Sequence, residues 1–447
     1  MSDMQFEYLP NEILIECFRY LSALQIFQSF DRHNYRFNQL IRSIKLHLDF
    51  ENIPQKLICD TFSTTVLPDQ EIKNRIDSIH LSNENISYPI QWFLSIFSFN
   101  QFVHLRSLTL TKLKKKNLKD LKTMLPSMTE LFSFRMINCD YQTEEILCTL
   151  PLSQLRTLII PKLPRNLKLM DKASSITNLT ISFRDFDDLS LIFNSISKLK
   201  YLKIENIQRF YSSIETKNIY SINNYATYLN KLIITKFRAG VDDLFILLKQ
   251  TPNLRSLTIN ALFNRYRINA DEWEDLINSS LSYLSVFKFN FEWEVVNRDE
   301  NEISDKLKQF QSDFWCKQHH WYTEYILSTY RASIYTIPYA FDSYSLKLKT
   351  NRYSIQIMNN NVITFDNVED LTVDPGAITE EYQYRFSYVT SLTFQYAIAC
   401  NYSDHFLRME DMKHLKIIVN LSHVKHLSLT MLHNLGKLEP VLTEILK

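Results

Sequence analysis

The spacing apolar-x-x-apolar-x-apolar recurs along this sequence from about residue 76 to its end. It reads Ile76-x-x-Ile79-x-Leu81, then Leu105/Leu108/Leu110, then Leu155/Leu158/Ile160. It returns at Ile176/Leu179/Ile181, Leu199/Leu202/Ile204, Leu229/Leu232/Ile234, Leu254/Leu257/Ile259 and Leu284/Phe287/Phe289. After a gap come Val368/Leu371/Val373, Val389/Leu392/Phe394, Met412/Leu415/Ile417 and Val424/Leu427/Leu429. Met128 and Leu131 make a degraded copy, with Ser133 where the third apolar residue should stand.

Alternation at the last two apolar positions puts both on one face of a short strand. Between the copies, Asp187-Asp188-Leu189-x-Leu191-Ile192-Phe193 and Asp242-Asp243-Leu244-Phe245-Ile246-Leu247-Leu248 carry helical spacing behind an acidic start, as a helix N-terminus prefers. One strand and one helix cannot bury their own apolar faces, so neighbouring copies must stack. The central residues lie mostly roughly 21 to 30 positions apart, the period of leucine-rich repeats. The predicted fold is therefore α/β, a leucine-rich-repeat solenoid over residues 49–447 with one short strand plus one helix per repeat. The competing reading is an ordinary α/β domain with chance repetition, and the number of copies weighs against it. Residues from about 291 to 367 hold no clear copy and carry a dense aromatic run, including Phe314-Trp315, His320-Trp321-Tyr322, Tyr325, Tyr330, Tyr335 and Tyr339. An irregular insertion packed against the solenoid is expected there. The last two copies are close together, which predicts a distorted terminal cap.

Residues 1–48 do not follow the repeat. Ile13, Leu14, Cys17, Phe18 and Leu21 fall at helical spacing behind Pro10, and Ser22-Ala23 interrupts them. Ile26, Phe27 and Phe30 predict a second helix, and Phe37, Leu40, Ile41 and Ile44 a third. A core of that size leans on a partner or on the next domain.

The run Leu9-Pro10-Asn11-Glu12-Ile13-Leu14-Ile15-Glu16-Cys17-Phe18-Arg19-Tyr20-Leu21 resembles the opening of an F-box. The order of box and repeats is similar to that of F-box proteins with leucine-rich repeats, the substrate receptors of cullin–RING ubiquitin ligases. The resemblance covers about 40 residues by motif and the remainder by repeat type. It implies that the box docks on the ligase adaptor through Leu9, Pro10, Ile13, Leu14, Ile26 and Phe27, while the repeats hold a protein substrate. Core packing is the competing role for these side chains, Ile13 and Phe27 above all. One departure stands out: a box commonly closes on Cys, basic residues and Trp, whereas this chain has Asp31-Arg32-His33-Asn34-Tyr35-Arg36-Phe37, leaving Tyr35 or Phe37 for the Trp role.

Residues between the apolar positions of a strand point to its other face. On the repeats this concave face offers Ser107, Thr109, Tyr201, Lys203, Lys231, Ser256, Thr258, Asn260, Thr393 and Gln395 as candidate substrate contacts. Most are small and neutral, whereas a groove tracking a phosphate backbone needs a stripe of Lys and Arg. The net charge is only +1, so no pull toward nucleic acid or anionic membrane is expected. The single basic cluster, Lys112, Lys114, Lys115, Lys116, Lys119 and Lys122, reads best as a solvated face.

The three glycines, Gly240, Gly376 and Gly436, are far apart, and no phosphate-cradling loop can be written from them. The six cysteines form no CxxC pair, which argues against a zinc module or a disulfide framework. Cys316 with His319 and His320 lacks a second ligand pair. Neither a Gly-x-Ser-x-Gly elbow nor a His-Glu-x-x-His motif is present. The expectation is a binding protein without catalytic residues, metal or cofactor, in the cytoplasm or nucleus, with no signal peptide or membrane span. The rival readings are a non-ligase scaffold that keeps the F-box fold and, further off, an enzyme with a site in the 291–367 segment.

Overall fold

Leu108 and Leu110 are fully buried, while Ser107 and Thr109 beside them stay half exposed. That alternation, repeated strand after strand, is what the sequence pattern encodes. The computed structural model describes residues 6–51, 68–84, 89–139, 143–162, 173–186, 189–208, 225–263, 268–295, 300–327, 331–346, 351–354, 363–374, 377, 384–395 and 409–430. The acidic pair Asp187-Asp188, Tyr330, Gly376 and Gly436 lie outside the described residues. The chain divides into two compact units, Met1–Asn206 with Phe210–Leu229, and Ile207–Arg209 with Asn230–Lys447.

The first unit opens with α1 (Asn11–Phe18), α2 (Ala23–Phe30) and α3 (Tyr35–Ser43). Ser22 starts α2 with a reciprocal cap: its hydroxyl accepts from the Gln25 amide, and the Gln25 side chain accepts from the Ser22 amide. Asn34 caps α3 by accepting from the Phe37 amide. Phe6, Phe18, Phe30 and Phe37 form one aromatic cluster between these helices, with centroids 5.0–6.4 Å apart.

The chain then alternates: β1 (Leu46–Asp49), α4 (Gln70–Arg75), β2 (Ile76–Ser82), α5 (Pro89–Ile96), β3 (Ser107–Thr111), α6 (Leu118–Met124) and β4 (Ser133–Ile137). It continues through α7 (Thr143–Leu147), β5 (Thr157–Ile160), β6 (Asn178–Asp185), α8 (Leu189–Ser195) and β7 (Tyr201–Gln208). Strands β1 to β6 pair in chain order and in parallel. Ile79, Leu108, Phe134, Leu158 and Leu179 occupy one rung, each at most 1% exposed. Phe134, not Leu131, is thus the central residue of the copy on β4. That copy is not degraded; it reads Leu131-x-x-Phe134-x-Met136, three residues further on, and all three side chains are buried.

The second unit holds β8 (Lys231–Arg238), α9 (Val241–Lys249), β9 (Ser256–Phe263), α10 (Ala270–Ser280) and β10 (Val286–Glu294). The Asp243 carboxylate closes the start of α9 by accepting from the Gly240 amide at 3.0 Å. Leu232, Leu257 and Phe287 share a rung across these parallel strands. After α11 (Glu300–Lys308) come β11 (Tyr322–Leu327) and β12 (Arg331–Ile337), in the spatial order β10-β12-β11, with β12 antiparallel to both its neighbours.

Next come β13 (Ser343–Leu346) and β14 (Asn351–Ser354), the latter antiparallel to β11, then β15 (Ile363–Thr364) and β16 (Asp370–Val373). The described chain ends with β17 (Tyr384–Arg385), β18 (Ser391–Gln395), α12 (Met409–Ile418) and β19 (His426–Thr430). Strands β13, β16, β18 and β19 form a second parallel sheet.

The aromatic segment is therefore sheet and core. Trp315, Trp321, Tyr325, Tyr335 and Tyr339 are all buried, and β12 is hydrogen-bonded to β10 edge to edge. Within it, Phe341-x-x-Tyr344-x-Leu346 follows the repeat spacing, and β13 pairs with β16 as a repeat strand does. Met412/Leu415/Ile417, read as a repeat strand, belongs to α12 instead. Leu415 is buried and Ile417 is 71% exposed, the arrangement of a helix rather than of a strand. The close spacing of the last copies disappears with it. Parallel strands joined by helices, in both units, make a mixed α/β arrangement consistent with a leucine-rich-repeat-like solenoid.

Candidate functional site

The segment ahead of α1 is pinned by one side chain. The Arg36 guanidinium donates to the carbonyl oxygens of Glu7 and Leu9, each at 2.5 Å, and to Asn11 Oδ1 at 2.7 Å. His33 meets Glu7 at 2.7 Å beside it. Pro10 is exposed, Leu9 half-buried and Ile13 48% exposed. Leu14, Ile26 and Phe27 are buried among the helices, none more than 4% exposed. The six positions named for adaptor contact thus separate into a surface group, Leu9, Pro10 and Ile13, and a core group. Tyr20 and Tyr35 add exposed rings, at 83% and 79%, while Phe37 fills the aromatic cluster. Arg36 was not singled out in the sequence, because a fork onto carbonyls 27 and 29 residues away leaves no spacing signal.

The strand-face candidates sit where the alternation puts them. Ser107, Thr109, Tyr201, Lys203, Ser256, Thr258, Asn260 and Thr393 are half exposed, and Lys231 and Gln395 exposed. Lys203 lies 3.9 Å from Glu205, and burial raises the Tyr201 phenol above its ordinary value. These residues belong to separate strands, Ser107, Thr109, Tyr201 and Lys203 in the first unit and the others in the second.

In the second unit the row runs into a cavity of about 270 Å³. Its walls include Asn260 of β9, Asn290 and Glu292 of β10, Arg331 and Tyr335 of β12, and Tyr339 and Tyr344 beyond it. The Asn290 amide donates to Asn260 Oδ1 at 3.2 Å and to Glu292 Oε1 at 3.3 Å. The three tyrosine rings stand mutually perpendicular, at 85° to 88°, with centroids 5.1–6.1 Å apart. Burial, first, and then the neighbouring Tyr344, Glu292 and Asp342 push the Tyr339 phenol well above its ordinary value. Of these, Asn260 was marked in the sequence as a strand-face candidate, and Tyr335 and Tyr339 as part of the aromatic run.

One cluster has ligand atoms suited to a metal ion. Asp49, Glu51 and His80 bring theirs within 4.8 Å of one another. Their geometry is also that of a polar ladder across β1, β2 and β3: His80 meets Asp49 at 3.0 Å and Thr111 Oγ1 at 3.0 Å. The hydrogen bond from His80 holds the Asp49 carboxyl below its usual range. Cys316 and His319 are drawn into packing, with His319 stacked 4.2 Å from Trp321. In the basic cluster, Lys112 pairs with Glu84 at 2.6 Å and Lys122 with Glu145. Among the described residues, no helix is long and apolar enough to cross a membrane.

No protein-family model matches the chain, and no curated protein matches it. Among solved structures, TLR13 in its complex with ssRNA13 aligns with a TM-score of 0.33 and 12% identity, over 73% of this chain and 49% of that one. This chain spans about half the length of that structure. A protein from Bacteroides fragilis aligns with a TM-score of 0.20 and 10% identity, over 83% of this chain and 82% of its own. At those scores neither likeness carries an argument, and the repeat reading stands on the strands themselves.

Proposed function

We propose that this chain is a substrate-recognition subunit of an SCF-type ubiquitin ligase, its N-terminal helices forming an F-box that docks on the ligase adaptor. The supporting observation is local. A Leu-Pro segment is fixed by Arg36 at the head of a three-helix module and presents Pro10 and Ile13 outward. Behind it, stacked strands keep one face open for a protein substrate. The receptor performs no bond chemistry of its own. It holds a target near a ubiquitin-loaded enzyme and so raises the effective concentration of the reacting groups.

The test is capture of the adaptor by full-length protein, beside a Leu9→Ala, Pro10→Ala double variant. Stoichiometric capture by the natural chain, lost in a variant whose circular dichroism is unchanged, is the expected result. Absence of capture by the natural chain overturns the reading. A specific observation favours a second one, a binding scaffold without adaptor affinity: Phe37 is consumed by the module's own core, and Tyr35 is the aromatic left outside.

A further inference from the structure

We infer that the open strand face of the first unit seats an extended acidic segment of a partner protein, held by Arg106, Arg156 and Lys200 with Arg135 and Lys203 beside them. This rests on the reading of that face as the partner-binding one and names the chemistry it selects.

The register of β4 supplies the first part. With Phe134 at the central position, Arg135 comes onto the open face between Thr109 of β3 and Ile159 of β5. One residue ahead of the strands a second line forms. The Phe132 amide donates to the Arg106 carbonyl, the Arg156 amide to that of Phe132, the Thr177 amide to that of Arg156 and the Lys200 amide to that of Thr177. These positions advance one rung at a time and carry a cation on every second rung. Rungs lie about 4.8 Å apart, so Arg106, Arg156 and Lys200 follow one another at roughly 10 Å. An extended chain advances about 3.3 Å per residue. A carboxylate at every third residue keeps the same interval.

The charged heads are poised for such a ligand. Arg106 and Arg156 lie over the Phe132 ring, 5.8 and 5.5 Å from its centroid. Stacking occupies the face of a guanidinium and leaves its N–H edge for a carboxylate. The balance is one-sided: among the described side chains on the open side of β3 to β7, these five cations are offset by Glu205 alone, 3.9 Å from Lys203. Nearby carboxylates are engaged, Asp77 with Lys45 at 2.9 Å and, more loosely, with Arg106 at 4.0 Å, and Glu130 with His104 at 3.3 Å. The chain as a whole carries only +1, so the excess is local. A single-stranded nucleic acid would also need ring faces on which to stack its bases, and Phe132 already carries two guanidiniums.

The experiment is fluorescence anisotropy on the full chain with a rhodamine-labelled peptide, Ser-Glu-Ser-Ser-Glu-Ser-Ser-Glu-Ser. Saturable binding at least ten-fold tighter than that of its Gln counterpart is expected, weakening as salt is added. The same three Glu placed consecutively should bind at least three-fold more weakly. Arg106→Gln with Arg156→Gln, both at exposed positions, should weaken the spaced peptide at least five-fold, and Lys200→Gln by itself at least two-fold. Arg255→Gln, at the matching position ahead of β9 in the second unit, should leave it within two-fold. Equal binding of the Glu and Gln peptides, equal binding of the spaced and consecutive ones, no effect of the first-unit variants, or tighter binding of an oligouridylate of equal length would each overturn the assignment. No adaptor enters this assay, so its failure leaves the ligase reading untouched, and failed adaptor capture leaves the basic face untouched.

Discussion

Arg36 ties down the start of the N-terminal module although nothing in the sequence spacing marks it. Three donors of one guanidinium satisfy two backbone carbonyls and an amide oxygen, and only a planar fork reaches all of them together. Arg36→Ala should therefore lower stability by about 1–3 kcal/mol, read as a shift in urea midpoint. It should also weaken adaptor capture by releasing Leu9 and Pro10. Arg36→Lys should restore little of either. Full capture by Arg36→Ala would show that the segment needs no anchor. At this scale the sequence was partly legible. The resemblance named Leu9, Pro10 and Ile13, which are at least partly exposed, together with Leu14, Ile26 and Phe27, which are buried. A motif records which residue types recur, not which of them a helix turns outward. Tyr335 and Tyr339 were visible as part of an aromatic run, but that they share a cavity with Asn260 and Glu292 was not, because strands far apart in the chain have to meet before they do.

Element by element, the repeat spacing located most of the parallel strands, with Leu108, Leu158, Leu232 and Leu257 at their central positions. It failed where three apolar residues satisfy both periods. Met412, Leu415 and Ile417 can be strand positions, but Leu415 with Ile418 makes a helical face just as well, and α12 takes that choice. The two readings differ in a measurable way. Ile417→Asp should cost within about 0.5 kcal/mol, as a surface change does, whereas Leu415→Asp should unfold the element. Comparable damage from both in thermal melts would restore the strand. The spacing also missed β13, because Phe341 and Tyr344 occupy places where leucine was sought. Aromatic side chains meet the same need to fill the interior, and the chain uses them freely around β10, where Phe287, Phe289, Phe291 and Trp293 line one face.

At the scale of the molecule, stability in a stacked array is a sum of local terms and nearest-neighbour contacts. Leu257 is fully buried in β9, so Leu257→Ala should cost roughly 2–5 kcal/mol. Amide hydrogen exchange should rise first in β8, β9 and β10 while β3 and β4 keep their protection. A uniform loss across all strands would mean one cooperative body instead. The shared rung of Leu232, Leu257 and Phe287 has a consequence for inheritance. A stretch such as 256–285 begins and ends at equivalent points of the ladder, because Lys231 and Val286 both face Ser256. Unequal recombination that copies or removes such a stretch leaves its neighbours able to meet in the same register. The parallel tracts of this gene can therefore lengthen and shorten in whole steps, whereas the antiparallel pairs of β12 with β10 and β11 offer no such equivalent point at which to copy or cut.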